Sequence, residues 1–170
     1  MKRQVIHRGR NSEITRENGV VVKRLLRETP SNALAYYERL RDSGLRVAPT
    51  RIHNGSSDSI VQDFVGEKTL KDLLKGEHPV DSFQSVSRQI DFFIANRSDV
   101  RVGLSPKPSN FVFDGNNPVY VDLAPAYHNG SSQDFFHSTP LGIRLYFASH
   151  VVGLRPSLLP KVLKWLVGRH

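Results

Sequence analysis

The chain has 170 residues, of which 38% are hydrophobic and 24% charged, a composition typical of one globular unit or two small lobes that share a cleft. It contains no cysteine, which excludes disulfides, thiolate metal sites and cysteine nucleophiles. Lysine and arginine outnumber aspartate and glutamate by 24 to 16, and the resulting net charge of +8 favours an anionic partner. A nucleotide, a nucleic acid, a phosphorylated substrate and an acidic membrane surface all meet that requirement.

The sequence shows no targeting or membrane signal. No apolar run approaches the roughly 18 residues that a membrane span needs, and residues 1–4 lack the apolar stretch of a secretory signal. We therefore expect a cytoplasmic protein with no membrane span. Export to a host cell by a route without a leader leaves no mark in a sequence, so that alternative stays open. The seven histidines show no spacing typical of a metal site.

The first 65 residues favour strands around one helix. Five segments rich in strand-forming residues are predicted as β-strands: 4–8, 12–15, 20–25, 51–53 and 59–64. Asn18-Gly19 between the second and third segments is a strong hairpin signal. Thr29 as N-cap, Pro30 in the first turn and Gly44 after the end predict a helix of about four turns between the third and fourth strands.

The remaining residues favour helices. Four segments have helical spacing of apolar residues or helix-start signals: 69–74, 81–95, 141–152 and 157–167. Two short strands are predicted at 111–113 and 119–121, and residues 122–140 are predicted as loop. The last helix is basic and amphipathic, which favours packing on the helical half, with a membrane or partner surface as the alternative. The segregation of strands and helices predicts an α+β fold.

Four polar residues occur in an order that suits phosphoryl transfer. Lys23 closes a valine-rich strand, Glu38 lies in the middle of a helix, Asn110 ends a proline-containing loop, and Asp122 follows the next strand. Transfer from ATP needs a cation on the phosphate oxygens, a partner that positions that cation, and oxygen ligands for Mg²⁺. The four residues would supply these groups in turn.

On these residues the sequence resembles the protein-kinase-like superfamily, including its aminoglycoside and small-molecule phosphotransferase branch. Six segments carry the resemblance. In the first half of the chain they are Val20–Lys23 for the strand-3 lysine, Glu38 for the αC glutamate and Leu40–Pro49 for the exit of αC. In the rest they are 60–74 for the last strand, hinge and following helix, 105–113 for the D-x-K-P-x-N loop, and 120–124 for D-F-G. The resemblance implies a two-lobed fold within one structural unit. Residues 1–65 would form a five-stranded antiparallel N-lobe with one helix, and residues 66–170 a much reduced helical C-lobe.

The resemblance also implies the roles of individual residues. ATP would lie between the lobes, with Mg²⁺ held by Asn110 and Asp122. Glu38 would hold Lys23 against the α- and β-phosphates, and Lys107 would lie near the γ-phosphate. Backbone groups of the segment that contains Gln62, Asp63 and Phe64 would meet adenine, and Gly9 would belong to a shortened loop over the phosphates.

The sequence departs from the family pattern at several positions. Ser105 stands where the family has its catalytic aspartate, Gly103 stands at the usual histidine, and no G-x-G-x-x-G precedes Lys23. Ser105 would orient an acceptor hydroxyl but would not take its proton at neutral pH. General-base assistance contributes roughly 10²–10⁴-fold, so its loss weakens the chemistry without removing positioning and charge neutralisation. Only about 48 residues follow Asp122, too few for a full C-lobe.

Three hypotheses follow. The first is a minimal phosphotransferase that moves the γ-phosphate of ATP to an unidentified hydroxyl acceptor, a small molecule or a protein. The second is a catalytically reduced pseudokinase that binds a nucleotide or a partner. The third, based on the positive charge alone, is a nucleic-acid-associated domain.

Overall fold

The computed structural model describes residues 4–8, 12–123 and 132–168, which form an α+β arrangement of seven strands and six α-helices. The strands are β1 (Gln4–Arg8), β2 (Ser12–Glu17), β3 (Val20–Leu25), β4 (Thr50–Ile52), β5 (Ser59–Asp63), β6 (Phe111–Asp114) and β7 (Asn117–Tyr120). The helices are α1 (Pro30–Asp42), α2 (Leu70–Leu73), α3 (Pro79–Asn96), α4 (Ser132–Ser138), α5 (Pro140–Leu154) and α6 (Leu159–Leu166). The α+β class predicted from the sequence is confirmed.

The first five strands form one antiparallel sheet in the order β1-β2-β3-β5-β4. The hairpin between β2 and β3 turns at Asn18 and Gly19, whose φ angles are +47° and +78°. Two successive positive φ angles are characteristic of the tight turn that Asn-Gly favours. The predicted five-stranded antiparallel sheet is therefore confirmed, with β3 at its centre.

Helix α1 packs on β4 and β5 through one apolar face. The hydroxyl of Thr29 accepts a hydrogen bond from the amide of Asn32 at 3.2 Å, which caps the helix as predicted. The buried face of α1 consists of Pro30, Ala33, Tyr36 and Leu40. This face fixes the rotation of the helix and hence the direction in which its polar residues point.

The hairpin of β6 and β7 is joined to the N-terminal part of the chain on both of its edges. The amide of Tyr120 donates to the carbonyl of Arg46 at 2.8 Å, and the amide of Ala48 donates to the carbonyl of Tyr120 at 3.1 Å. On the other edge, the amide of Phe113 donates to the carbonyl of Lys68 at 3.0 Å. These backbone bonds join the hairpin to the segments that precede β4 and follow β5.

Helices α3, α5 and α6 share an aromatic core. The rings of Phe83 and Phe147 are stacked with centroids 5.8 Å apart, and Trp165 meets both rings edge-on. The indole Nε1 of Trp165 donates to Asp91 Oδ2 at 2.7 Å, which links α6 to α3. Such edge-to-face pairs add to the stability that burial of the rings supplies. The packing role predicted for the last helix is confirmed at Trp165.

Two details of the predicted helical part were incomplete. Residues 132–138 form α4, although the whole stretch 122–140 was predicted as loop. On α6, Leu159 and Leu163 are 44% and 51% exposed, so only part of the predicted apolar stripe is buried. No helix in the described ranges has the length and apolar character needed to cross a membrane.

Candidate functional site

Two adjoining cavities lie where the sheet faces the β6–β7 hairpin. Cavity A has a volume of about 470 Å³ and is lined by Lys23, Glu28, Asn110 and Asp122 among others. Cavity B has a volume of about 430 Å³ and is lined by residues 62–67 together with Val21 and Val112. Lys23 and Val121 line both cavities, and so do Ile6 and Ile14. The two cavities are therefore parts of one cleft.

Strand register places Lys23 in the middle of the sheet surface that faces the cleft. Lys23 on β3 lies directly opposite Ile14 on β2 and Ile60 on β5. Directly opposed residues of antiparallel strands project from the same face, so the lysine stem lies between two apolar side chains. Lys23 is only 8% exposed as a result.

The ammonium of Lys23 points towards the segment after β7. Its Nζ donates a hydrogen bond to the carbonyl oxygen of Val121, the residue before Asp122. Burial lowers the pKa of Lys23 from its ordinary 10.5 to about 8, and the nearby charge of Asp122 partly opposes that shift. The cleft thus contains a buried cation that is still mainly protonated at pH 7.

Asn110 and Asp122 meet on the opposite wall of cavity A. The side-chain amide of Asn110 donates to Asp122 Oδ2 at 3.0 Å and to the carbonyl of Ser105 at 2.9 Å. The amide of Val121 donates to the carbonyl of Asn110 at 2.9 Å, which fixes the two segments together. Because both N–H groups of the Asn110 side chain are used, its carbonyl oxygen is the group that stays available as a ligand.

The paired oxygens of Asn110 and Asp122 suit Mg²⁺. This ion is usually bound by one or two protein carboxylate or amide oxygens, with water and substrate phosphates completing its coordination. Within residues 4–8, 12–123 and 132–168, no group of three or more His, Asp or Glu side chains could hold a metal ion by itself. With two protein oxygens at this position, water or a bound ligand would complete the coordination of a metal ion.

Cavity B contains the residues expected to meet adenine, but two of their amides are engaged elsewhere. The amide of Asp63 donates to the carbonyl of Pro49 at 2.9 Å, and that of Phe64 donates to the carbonyl of Gly19 at 3.3 Å. In the part of the chain that the structure describes, the amides of Val65 and Gly66 have no hydrogen-bond partner. Val65 and Gly66 both line cavity B, so their amides are the next candidates for donors to a ligand there.

Arg16 lines cavity B and stacks on the ring of Phe64. The guanidinium carbon of Arg16 lies 3.7 Å from the centroid of the Phe64 ring, and an Arg16 nitrogen lies 3.0 Å from a carboxylate oxygen of Glu67. Stacking on the ring and pairing with the carboxylate hold the arginine in the wall of cavity B. No local pattern predicts this contact, because Arg16 and Glu67 are 51 positions apart.

Gly66 closes the bottom of cavity B. A Cβ atom at this position would lie 2.3 Å from the carbonyl oxygen of Phe113 on β6. Only glycine lets the two backbones approach so closely. Gly66 thereby allows the segment after β5 to pass close to β6.

Glu38 does not take the position expected of it. It is exposed on α1, and no ion pair joins it to Lys23 among the described residues. The reason is the helix rotation: Tyr36 faces the core, and two residues further on a helix lie about 200° away. Glu28, in the loop before α1, is half-buried and lines cavity A instead. Nothing in the sequence pattern distinguished Glu28 from other loop acids.

Ser105 and Lys107 are not among the residues that line cavity A. Ser105 is buried, and its carbonyl oxygen accepts hydrogen bonds from the Lys107 amide at 2.8 Å, the Asn110 side chain at 2.9 Å and the Tyr120 hydroxyl at 3.3 Å. Its backbone thus organises the loop, and its side chain is not part of the cavity A lining.

Lys107 is exposed and lines a separate groove of about 410 Å³, here named groove C. Gly9 lies outside the described residues.

The described chain is thus an α+β protein with a buried lysine that faces an amide–carboxylate pair across a cleft. In comparison with known proteins, no family model matches the chain. A comparison with curated proteins likewise found no match.

Proposed function

We propose that this protein is a minimal kinase-like phosphotransferase that binds ATP and Mg²⁺ in the cleft. The observation that carries the proposal is the meeting of Lys23, Asn110 and Asp122 around cavity A, although they are distant in the sequence. In this proposal residues 1–65 act as the N-lobe and residues 66–170 as a reduced C-lobe.

Each part of the cleft suits a different part of the nucleotide. The apolar side chains of Val21 and Val112 and the amides of Val65 and Gly66 suit a purine base in cavity B, where flat apolar surface and a few backbone donors recognise such rings. The ammonium of Lys23 lies where the two cavities join and would contact the phosphate oxygens. The triphosphate would then extend into cavity A.

The oxygens of Asn110 and Asp122 would hold the Mg²⁺ that accompanies the triphosphate. When bound, the ion neutralises the negative charge that develops on the transferred phosphoryl group. The hydrogen bond from Asn110 to Asp122 keeps both side chains at cavity A before any ligand arrives. This preorganisation is the contribution of the protein to metal binding.

A pseudokinase is the second candidate, and two observations favour it. Ser105 replaces the residue that would act as general base and is buried behind the loop, and Glu38 is exposed rather than paired with Lys23. A protein with these features would keep nucleotide affinity and lose most of the chemistry, since binding depends on Lys23 and Asp122.

The nucleic-acid alternative loses support because several of the N-terminal arginines are already paired. Arg16, Arg24, Arg46 and Arg51 each lie within 3.1 Å of a carboxylate oxygen. Those ion pairs reduce the positive charge that this part of the chain offers to a phosphate backbone.

The proposal is tested by measuring ATP binding and phosphoryl transfer separately. Purified protein is titrated with a fluorescent ATP analogue with and without Mg²⁺, comparing the unmodified chain with Lys23→Met, Asp122→Asn and the exposed control Lys68→Gln. We expect Lys23→Met to abolish binding, Asp122→Asn to remove its dependence on Mg²⁺, and Lys68→Gln to bind normally.

Transfer is then followed with γ-labelled ATP in a lysate. Label on an acceptor that disappears in Asp122→Asn supports the phosphotransferase, and binding without any transfer supports the pseudokinase. Absence of Mg²⁺-dependent nucleotide binding in the unmodified chain would overturn both.

A further inference from the structure

Groove C lies beside cavity A and differs from it in charge. It is formed where the loop after Ser105 meets α2 and the C-terminal part of α5, and its polar lining consists of Lys71, Lys107, Ser109, Ser149 and His150. No aspartate or glutamate lines it, whereas Glu28 and Asp122 line cavity A. Groove C is therefore the more cationic of the two.

The two lysines of groove C are exposed to a ligand in solvent. Lys71 and Lys107 are exposed, and neither forms an ion pair within the described residues. Asp72 is the nearest acid in the sequence, and its carboxylate is engaged with the amide and hydroxyl of Thr69 in the cap of α2. The charge of Lys71 is partly offset by Asp72, whereas no acid is found to pair with Lys107 among the described residues.

His150 adds an oriented ring to the groove. Its Nδ1 lies 2.9 Å from the carbonyl oxygen of Tyr146, and a carbonyl oxygen only accepts hydrogen bonds. Nδ1 therefore carries a proton and donates it in that bond, which leaves Nε2 for a ligand.

Groove C connects to the proposed phosphate site through one residue. Ser109 lines both groove C and cavity A, and it lies between Lys107 and the proposed metal ligand Asn110. A molecule in groove C would thus lie next to the end of a triphosphate that enters cavity A. This is the position that a phosphoryl acceptor must take.

We propose that groove C is the acceptor site and that the acceptor is a small hydroxyl compound carrying a phosphate group, held by Lys71 and Lys107; the proposal rests on the phosphotransferase function. Its hydroxyl oxygen forms a bond to the γ-phosphorus of ATP. The bond from that phosphorus to the β,γ-bridging oxygen breaks, and its electron pair leaves with ADP. The hydroxyl proton passes to solvent, to which the groove is open.

The test uses sn-glycerol 3-phosphate as the probe and glycerol as its uncharged match. Each is titrated into ¹⁵N-labelled full-length protein, and the amide resonances of Ser109, Ser149 and His150 report binding at groove C. Because charge-assisted hydrogen bonds are roughly twice as strong as neutral ones, we expect affinity for glycerol 3-phosphate to exceed that for glycerol by about tenfold or more.

Two variants identify the groups responsible. The double variant Lys71→Gln/Lys107→Gln should weaken glycerol 3-phosphate binding by about tenfold or more. Lys75→Gln, which removes an exposed lysine that does not line the groove, should change it by less than about twofold. Equal responses to glycerol and glycerol 3-phosphate, or unchanged affinity in the double variant, would overturn the proposal.

The same titration is repeated with the non-hydrolysable analogue AMP-PNP and Mg²⁺ present. Simultaneous binding of both ligands supports an acceptor site. Displacement of glycerol 3-phosphate by AMP-PNP overturns it, because the groove would then hold the γ-phosphate of the nucleotide itself.

If AMP-PNP binds and glycerol 3-phosphate does not, the acceptor proposal fails and the phosphotransferase stands. If glycerol 3-phosphate alone binds, the phosphotransferase fails and groove C is an anion site of another kind.

Discussion

The Nζ atom of Lys23 donates a hydrogen bond to the backbone carbonyl oxygen of Val121, 98 positions along the chain. This bond joins the central strand of the sheet to the residue that precedes Asp122. It fixes the ammonium within reach of both cavities of the cleft. The bond is made to a backbone carbonyl, and no ion pair among the described residues holds the ammonium, although the nearby charge of Asp122 acts on it.

ATP affinity should fall as the pH rises above 8. The pKa of Lys23 is lowered to about 8, so the side chain is charged at pH 7.5 and mostly neutral at pH 9 in the free protein. A phosphate ligand favours the charged form, and each pH unit above the free pKa then lowers affinity by up to about tenfold. Isothermal titration calorimetry from pH 7.5 to 9.5 measures this slope. Lys23→Arg, which stays charged throughout, serves as the control and should show no slope; a flat profile in the unmodified chain would contradict the prediction.

Replacing Lys23 by methionine should stabilise the protein while removing nucleotide binding. Between the folded pKa of about 8 and the ordinary value of 10.5, the unfolded chain holds more protons than the folded one. Stability therefore rises with pH across this window, and at pH 7 the buried charge costs on the order of 3 kcal/mol. Methionine removes that cost but leaves the Val121 carbonyl without its partner, so we expect a net gain of about 1–2 kcal/mol at pH 7.

Urea denaturation at pH 7 and pH 10 checks the stability prediction. The unmodified chain should gain stability between the two pH values, and the Lys23→Met variant should gain less. A Met variant that is less stable than the unmodified chain at pH 7 would show that the ammonium contributes to folding rather than opposing it.

Replacing Glu28 or Glu38 by glutamine tests which of the two glutamates acts on a nucleotide in the cleft. Glu28 lines cavity A and Glu38 is exposed on α1. Glu28→Gln removes a negative charge from the wall, so affinity for metal-free ATP should rise by about two- to fivefold through reduced repulsion. Glu38→Gln should leave both affinity and stability unchanged to within about 0.5 kcal/mol. Fluorescence titration in the presence of EDTA measures both variants, and a loss of affinity in Glu38→Gln would restore Glu38 to the site.

Local signals predicted most of the fold. The turn at Asn18-Gly19 depends only on the positive φ angles of these two residues. The start of α1 depends on a hydrogen bond between Thr29 and Asn32, three positions apart. Helix α4 was not predicted because its apolar residues, Phe135 and Phe136, are adjacent, so its sequence shows no helical spacing of apolar residues.

The site was less predictable, because it depends on the rotation of α1 and on long-range contacts. The apolar residues of α1 allow two rotations, since Ala33 and Leu34, and likewise Tyr36 and Tyr37, are adjacent in the sequence. Packing against the sheet buries the first of each pair and turns Glu38 outward. The order of the residues along the chain was enough to predict that Lys23 and Asp122 belong to one site.

Gly66→Ala should widen the cleft and weaken nucleotide binding. The added methyl group would lie 2.3 Å from the Phe113 carbonyl oxygen, and because that neighbour is backbone, β6 and the 66–68 segment must move apart. Overpacking of this kind costs about 1–3 kcal/mol. Gly153→Ala is the matched control: its Cβ meets nothing within 4 Å, and alanine in place of glycine within α5 should stabilise the protein by up to about 1 kcal/mol. Thermal unfolding and ATP titration of both variants test the prediction, and normal stability and affinity in Gly66→Ala would show that the spacing between the sheet and the hairpin is not set at this glycine.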